Sequence, residues 1–335
     1  MTCRMLSLSV SMLALAAPAL AEEVNVYSLR QPDLIQPLMD AFTAETGITV
    51  NVAHIEKGMV ERLQSEGDRS PADVILTVDI SKLAQVVDAG VTQPVTSEVL
   101  AANIPAELRD PGNQWFGLTA RARIVYASNE RVKDGEVTTY EDLADPKWKG
   151  RICTRPGTHD YNLGLTAAMI VHDGYDATKA WAEGLKANLA KKPQGGDRDQ
   201  VKSIWTGECD ISLGNTYYMG AMLKDPEQKE WANSVRIIYP TFKEGGSHLN
   251  VSGMAMTKSA PNKDAALKLM EFLSSDEAQA IYAEANNEFP VKPGVKQSDL
   301  VASWGTFTPD SINLMEVAKE RPAALKLMEE VNFDG

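Results

Sequence analysis

The feature that most constrains the fold is an alternation of short, β-branched apolar runs with longer segments of helical periodicity. Residues 24–27 and 48–52 are predicted strands, and residues 34–46 between them place their apolar side chains on one helical face. Gly47 ends that helix. Repeated β-α-β units predict an α/β fold of layered helices and sheets, in which ligands bind at the carboxyl ends of the strands.

The same alternation continues through the rest of the chain. Further strands are predicted at residues 73–78, 151–154, 210–213, 235–239 and 251–257. Further helices are predicted at residues 59–65, 80–89, 162–172, 177–189, 200–206, 218–223, 264–273 and 276–284. Asn262 or Ser275 is expected to cap a helix near the C-terminus. The sequence contains neither internal repeats nor low-complexity linkers.

The first 21 residues are typical of a secretory signal peptide. A positive charge precedes a largely apolar stretch at residues 5–20, and Ala19 and Ala21 give the small-x-small pattern of a cleavage site, so we expect cleavage before Glu22. A membrane-spanning helix is the alternative, but the apolar run is short for one. No later stretch is both long and uncharged enough to span a membrane. We therefore expect a secreted mature chain.

Charge and motif content narrow the class of function. The sequence has 33 Lys and Arg residues against 46 Asp and Glu residues, a formal net charge of −13. This acidic balance argues against nucleic acid or an anionic membrane as partner and suits attraction of a cation. A Gly-rich phosphate loop, a His-Glu helix pair and a nucleophile elbow are all missing, so a secreted hydrolase has no convincing catalytic residues. We expect a binding protein rather than an enzyme.

Two cysteines follow the predicted signal peptide. Cys153 and Cys209 form an isolated pair, and in an oxidising compartment such a pair most simply forms one disulfide. The bridge would close a loop of roughly 55 residues. A soft-metal site is the alternative, but two thiols without a neighbouring histidine cluster are too few ligands.

Several motifs resemble the iron-binding branch of the periplasmic solute-binding proteins of ABC transporters. In the family's order they are VYS (26–28), TGITV (46–50), EGDRSPADV (66–74), FGLTARAR (116–123), LADPKWKG (143–150), NTYY (215–218) and NKDAA (262–266). They extend over nearly the whole chain after the signal peptide. The resemblance implies a monomeric periplasmic receptor that binds Fe(III) and delivers it to an inner-membrane ABC permease.

The resemblance also implies a two-lobed, type II periplasmic-binding-protein fold. Lobe 1 would comprise residues 22–119 and 255–335, including the C-terminal helices, and lobe 2 would comprise residues 120–254. Two β-strands would cross between the lobes and form a hinge, with the ligand in the cleft. Hinge closure would then present the loaded form to the permease.

Tyr161, Tyr217 and Tyr218 are the candidate metal ligands. Fe(III) is a hard cation that favours anionic oxygen donors, and a phenolate is such a donor once its proton has been displaced. Adjacent side chains in a strand point to opposite faces, so Tyr217 and Tyr218 can converge only where the strand ends and the chain turns. The tyrosine-rich subgroup of the family has a ligand at the kind of position that Tyr161 occupies. The alternative is that all three are unrelated, half-buried aromatic side chains.

Polar side chains near these tyrosines are candidates for contacts to an anion. Alternation along a strand puts Arg121 and Arg123 on one face at the first lobe crossing, where Arg121 is the preferred residue to hold a carbonate-like anion or to stabilise phenolates. A surface ion pair is the alternative. Asn215 is a second candidate for contact with the anion. His159 is a minor alternative ligand and otherwise a solvated loop residue.

The chain departs from the family in lobe 1. Family members often carry a histidine, sometimes followed by a tyrosine, after the first strand, whereas this chain has Gln31 and Pro32. Gln31 offers at most a neutral amide oxygen, and Val78 stands where another branch has an iron-binding glutamate. Lobe 1 is therefore expected to supply few or no ligands, and water, carbonate or another small anion would complete the iron shell. An iron chelate, a polyamine, thiamine or an oxyanion are alternative ligands for the same fold.

Overall fold

The computed structural model describes residues 22–335, so the predicted signal peptide lies outside the described residues. The strands of this range are β1 (Glu23–Ser28), β2 (Thr49–His54), β3 (Val74–Thr77), β4 (Phe116–Ser128), β5 (Ile152–Cys153), β6 (Ile211–Asn215), β7 (Val235–Ile238), β8 (Leu249–Met256) and β9 (Phe289–Pro290). The α-helices are α1 (Pro32–Thr46), α2 (Met59–Glu66), α3 (Ile80–Asp88), α4 (Glu98–Asn103), α5 (Asp160–Asp173), α6 (Tyr175–Ala187), α7 (Asp197–Trp205), α8 (Tyr217–Lys224), α9 (Lys229–Asn233), α10 (Lys263–Leu273), α11 (Asp276–Asn286), α12 (Asp299–Ala302), α13 (Leu314–Lys319) and α14 (Arg321–Glu330). Across residues 22–335, every helix is too short or too polar to cross a lipid bilayer.

The strands follow one path in the order β2-β1-β3-β8-β4-β6-β5, with β7 and β9 also paired to β4. β1 is parallel to β2 and β3, and β5 is parallel to β6. The long strand β4 is antiparallel to its neighbours and changes partner along its length. Its residues 116–122 pair with β8, and its residues 123–127 pair with β6. The strand therefore belongs to two sheets in succession.

This change of partner divides the molecule into two lobes. Lobe 1 is built on β2, β1, β3, β8, β9 and the first half of β4, and lobe 2 is built on β5, β6, β7 and the second half of β4. β4 runs through both lobes, and β8 enters lobe 1 beside the point where β4 changes partner, so these two strands connect the lobes. The predicted two-lobed α/β fold with a two-stranded hinge is confirmed. The lobe boundaries drawn at residues 119/120 and 254/255 stay a prediction.

The C-terminal helices depart from the lobe assignment made on the sequence. α13 contacts both α3 and α5, and α14 packs against α5 and α6 of lobe 2. The apolar side chains of Leu327, Met328 and Phe333 join the hydrophobic cluster of lobe 2 around Trp148. Helical periodicity predicts that one face is buried but carries no information on which sheet covers it. The contacts of α14 therefore favour its placement with lobe 2, whereas α13 lies between the two lobes.

Helix capping near the C-terminus follows one of the two predicted caps. The Ser275 hydroxyl accepts a hydrogen bond from the Ala278 backbone and caps α11. Asn262 precedes α10 but makes no side-chain cap, because its amide donates to the buried Asp73 carboxylate instead.

The predicted disulfide is confirmed and lies within lobe 2. Cys153 ends β5 and Cys209 precedes β6, with their Cα atoms 5.9 Å apart and both side chains buried. Cys153 is paired in register with Ser212 of β6. β5 leads to α5 and β6 leads to α8, so the bridge connects the two strands that precede the tyrosine-containing helices.

Removal of this bridge by the double change Cys153→Ala and Cys209→Ala is expected to lower the free energy of unfolding by about 4 kcal/mol. The cause is the larger conformational entropy of the unfolded chain once the loop is no longer closed. Guanidinium chloride unfolding under non-reducing conditions measures the effect. A variant as stable as the parent chain would contradict this stabilising role.

Candidate metal centre

A cleft of about 510 Å³ lies between the lobes and contains all three candidate tyrosines. Tyr161, Tyr217 and Tyr218 line its lobe 2 wall. Lobe 1 lines the opposite wall with the residues that follow β1 and with the C-terminal end of α11. The site therefore lies at the carboxyl ends of strands, where ligands of α/β folds bind.

Local geometry brings the three phenols together. β6 ends at Asn215 and α8 begins at Tyr217, and this turn places the rings of Tyr217 and Tyr218 side by side, with centroids 4.2 Å apart. Tyr161 lies in the first turn of α5, and its phenol oxygen is 3.2 Å from that of Tyr217. Oxygens that are cis ligands of a small octahedral cation, at about 2.0–2.1 Å from the metal, are themselves about 2.9 Å apart. One cation can therefore bridge these two phenols after a small adjustment.

Burial determines the protonation of the phenols. It raises the pKa of Tyr217 well above its usual value, and the nearby hydroxyls of Tyr161 and Tyr218 raise it further, although Arg121 opposes them. Burial is also the main cause of the raised pKa of Tyr218. Both phenols are protonated at neutral pH in the metal-free protein. A cation can bind through their oxygens only by displacing protons, which favours a hard, highly charged ion.

Three arginines surround the ring of Tyr161. The guanidinium carbons of Arg121, Arg123 and Arg155 lie 5.9, 6.0 and 4.9 Å from its centroid. Arg121 and Arg123 share one face of β4, as predicted, and each is only 2 % exposed, so their charges lie inside the protein and not at its surface.

Arg121 retains an unused donor. One terminal nitrogen of its guanidinium donates to the Ser252 hydroxyl and the other donates to the Val78 carbonyl oxygen. Its Nε is buried and has no hydrogen-bond partner in the described residues. The Nε atoms of Arg123 and Arg155 are buried without a partner as well, so this feature is not particular to Arg121.

Arg123 and Arg155 instead belong to a buried network around Asp197. Arg123 donates to one carboxylate oxygen of Asp197 at 2.9 Å and Arg155 donates to the other at 3.1 Å. Arg123 also donates to the side-chain oxygens of Asn162 and Asn215. Asn162 directly follows Tyr161, and Asn215 lies two residues before Tyr217. The network therefore fixes the backbone at both tyrosine-bearing turns.

Asn215 lies behind the cleft rather than in its wall. It is 3 % exposed, its side-chain oxygen accepts from Arg123, and its backbone N–H donates to Asp197. This position suits a supporting residue and leaves no direct contact with a bound anion.

Lobe 1 presents few metal-binding groups to the cleft. Gln31, exposed at the start of α1, and Val78 both line it, as expected from their positions. Sequence reasoning missed Arg30 and Glu288, whose charges pair at 2.5 Å on the same wall. Arg30 immediately follows β1, and the rule that sites lie at strand ends could have found it. Glu288 lies in a loop after α11 and has no comparable sequence pattern.

His159 is a helix cap and does not line the cleft. Its Nδ1 accepts a hydrogen bond from the Tyr161 backbone N–H, and burial together with the neighbouring Arg155 charge lowers its pKa to about 4. Within residues 22–335, no group of three or more His, Cys, Asp or Glu side chains is arranged to hold a metal ion. The tyrosine cluster is thus the metal site that the cleft geometry favours.

Comparisons with known proteins agree with the geometry. The family profile described as "Bacterial extracellular solute-binding protein" matches residues 37–309. "Iron uptake protein A1" of Synechocystis sp. is 44% identical over 319 residues, which cover 94% of this chain and 89% of that protein.

Two solved structures share the whole fold. Ferric iron-binding protein A of Mannheimia haemolytica, solved in an open conformation, is 53% identical with a TM-score of 0.91, covering 94% of this chain and 100% of that one. A Trichodesmium protein solved with iron and citrate ligands is 41% identical with a TM-score of 0.90, covering 93% and 99%. The chain belongs to the family of bacterial extracellular solute-binding proteins.

Proposed function

We propose that this protein is a periplasmic receptor that binds Fe(III) between its lobes and delivers it to an ABC-type permease of the inner membrane. The observation that carries the proposal is the convergence of three phenols in one cleft, with the oxygens of Tyr161 and Tyr217 3.2 Å apart. Phenolates are hard anionic donors that select Fe(III) over softer or less charged cations. The iron-binding names of the related proteins support the same ligand.

An anion is expected to bind together with the metal. Three phenolates would neutralise Fe(III), yet four cationic side chains line the cleft against one carboxylate: Arg30, Arg121, Arg198, Lys224 and Glu288. This excess of positive charge supports carbonate or a carboxylate as the accompanying anion, with Arg121 as the candidate residue that contacts it. The Trichodesmium relative, solved with iron and citrate, supports an iron chelate as an equivalent form of the cargo.

The charges that line the cleft also discriminate among the alternative ligands considered for this fold. Polyamines and thiamine are cationic and would be repelled by the arginine-rich wall, so they are disfavoured. A metal-free oxyanion would be attracted to that wall and is the second candidate. Colour distinguishes these two ligands. A ferric phenolate complex absorbs visible light, whereas a bound metal-free oxyanion would leave the protein colourless.

Titration of the metal-free protein with ferric citrate tests the proposal. We expect a visible phenolate-to-iron charge-transfer band that saturates at one iron per chain. Retention of the colour after gel filtration separates bound iron from free chelate. A protein that stays colourless at saturating ferric citrate, or one that binds only citrate, would contradict iron binding.

Iron affinity is expected to fall as pH falls. Each phenol that becomes a ligand must lose its proton, so binding releases one proton per phenolate, about three for the proposed set. The raised pKa values of Tyr217 and Tyr218 keep these phenols protonated throughout the neutral range, so the protons compete with iron there. Potentiometric titration in weak buffer, corrected for protons released by the ferric chelate alone, measures the stoichiometry. Binding without proton release would contradict phenolate ligation.

A further inference from the structure

Gly220 and Asn287 contact each other across the cleft. Gly220 lies in α8 of lobe 2, two residues after Tyr218, and Asn287 follows the last residue of α11 in lobe 1. A Cβ atom at Gly220 would lie 2.5 Å from Cγ and 2.6 Å from Nδ2 of Asn287. The Asn287 side chain therefore occupies the space in which a side chain at position 220 would stand.

The backbone of α8 does not explain the glycine. Gly220 lies inside a regular helix, and it is absent from the glycines with a positive φ angle. Glycine is the weakest helix former after proline, so its presence here is unfavourable for the helix itself. The close approach of Asn287 is the physical reason that the structure provides for a residue without a Cβ.

The cap of α11 permits asparagine but does not require it. Asn287 is in the left-handed conformation, with φ 54° and ψ 36°, where glycine is the usual residue because it has no Cβ. Asparagine tolerates this conformation and adds an amide, and that residue is only 6 % exposed. The contact thus accounts for the glycine of α8, which local structure alone would disfavour.

The chain on either side of Asn287 is firmly held in lobe 1. Glu288 accepts hydrogen bonds from Arg30 and Thr119, and it lies 3.9 Å from Arg121. The amide of Asn286 donates to the Leu34 carbonyl oxygen at 3.3 Å. A side chain carried by such a fixed segment can limit how closely α8 approaches lobe 1.

We infer that the contact between Asn287 and Gly220 positions α8, with Tyr217 and Tyr218, against lobe 1 and thereby slows iron release. The inference rests on the proposed function. Beside Glu288, lobe 1 offers the cleft few candidate ligands, since Gln31 has a neutral amide and Val78 is apolar. Lobe 1 contributes to iron retention through packing, because the contact fixes the distance of closest approach between the two walls of the site.

A complementary pair of substitutions tests the inference. Gly220→Ala raises the intrinsic helix propensity of α8 but places a methyl group against the Asn287 amide, and we expect iron release to become about tenfold faster. Asn287→Gly keeps the left-handed cap and removes the amide. In the double variant the added methyl group enters the vacated space, so the release rate is expected to return to within about threefold of the parent.

Each variant is characterised by two measurements. The first is the rate at which the visible iron band is lost after addition of an excess of a competing chelator. The second is the interlobe distance between spin labels on exposed residues of the two lobes, Asp40 of α1 and Glu183 of α6, in iron-free and iron-loaded protein. We expect Gly220→Ala to lengthen this distance and the double variant to restore it.

Gly184→Ala is the matched control. Gly184 also lies inside a helix, and a Cβ there would be 2.8 Å from Ala144, but both residues belong to lobe 2. This change overpacks one lobe, so it should lower stability without altering iron release or the interlobe distance.

Each outcome decides between the alternatives. A coloured parent protein would support iron binding. If the iron-release rate and the interlobe distance of Gly220→Ala then match those of the parent, the inference is overturned. A double variant that releases iron as fast as Gly220→Ala would also overturn it, because the clash would then not be the cause. A colourless parent would refute the proposed function, and the distances in iron-free protein would then decide whether the contact positions α8.

Discussion

Replacement of Tyr217 by Phe is expected to weaken Fe(III) binding by more than about 100-fold and to weaken and shift the visible band. Residues that merely support metal ligands typically contribute 10–100-fold to affinity, and a ligand should contribute more. Phe retains the ring packing against Tyr218, at 4.2 Å between centroids, so the change removes one oxygen and little else. Competition with a chelator of known affinity measures the loss.

Tyr239→Phe is the matched control for this change. The Tyr239 hydroxyl is also buried, but it has no hydrogen-bond partner in the described residues, and its ring stacks on Phe307 away from the cleft. Removal of its oxygen should leave both iron affinity and colour unchanged. A Tyr217→Phe protein whose affinity stays within about threefold of the parent would exclude this phenol as a ligand.

The change Asp197→Asn is expected to lower the free energy of unfolding by about 4 kcal/mol, because removal of one partner leaves buried charge uncompensated. Asp197 is 1 % exposed and pairs with both Arg123 and Arg155, which are themselves buried. The same network holds the residues next to Tyr161 and Tyr217, so the iron band should also weaken or shift. Denaturant unfolding and the visible spectrum measure the two effects separately.

A second aspartate provides the control for Asp197. Asp210 also pairs with two arginines, Arg131 and Arg151, at 2.5 and 2.6 Å, but its side chain is 15 % exposed and both arginines are about a third exposed. Water compensates the charges there, so Asp210→Asn should cost about 1 kcal/mol or less and leave the iron spectrum unaltered. Equal costs at the two positions would mean that burial of the Asp197 network has no special role.

Local sequence patterns were sufficient for the layers of the fold and for one half of the site. Periodicity identified the β-α-β units, and the strand-to-helix turn after Asn215 explained how Tyr217 and Tyr218 can face the same cleft. These features depend on neighbours in sequence, where spacing and side-chain direction are directly related. The disulfide could be predicted because only two cysteines remain after the predicted signal peptide.

Features that depend on long-range packing could not be predicted in the same way. Arg123 is buried because Asp197, 74 residues later, compensates its charge, and no spacing rule connects the two. Glu288 reaches Thr119 over a separation of 169 residues, and Asn287 meets Gly220 only after the lobes have assembled. Helix α14 packs on lobe 2 for a similar reason, since amphipathicity specifies a buried face and not its partner.

Resonance Raman spectroscopy of the iron-loaded protein, excited within its visible band, tests phenolate ligation most directly. We expect enhanced tyrosine phenolate ring and C–O vibrations that weaken in Tyr161→Phe, Tyr217→Phe and Tyr218→Phe and persist in Tyr239→Phe. A loaded protein with no enhanced phenolate vibrations, or with vibrations that all three cleft substitutions leave unchanged, would contradict iron binding by this tyrosine cluster.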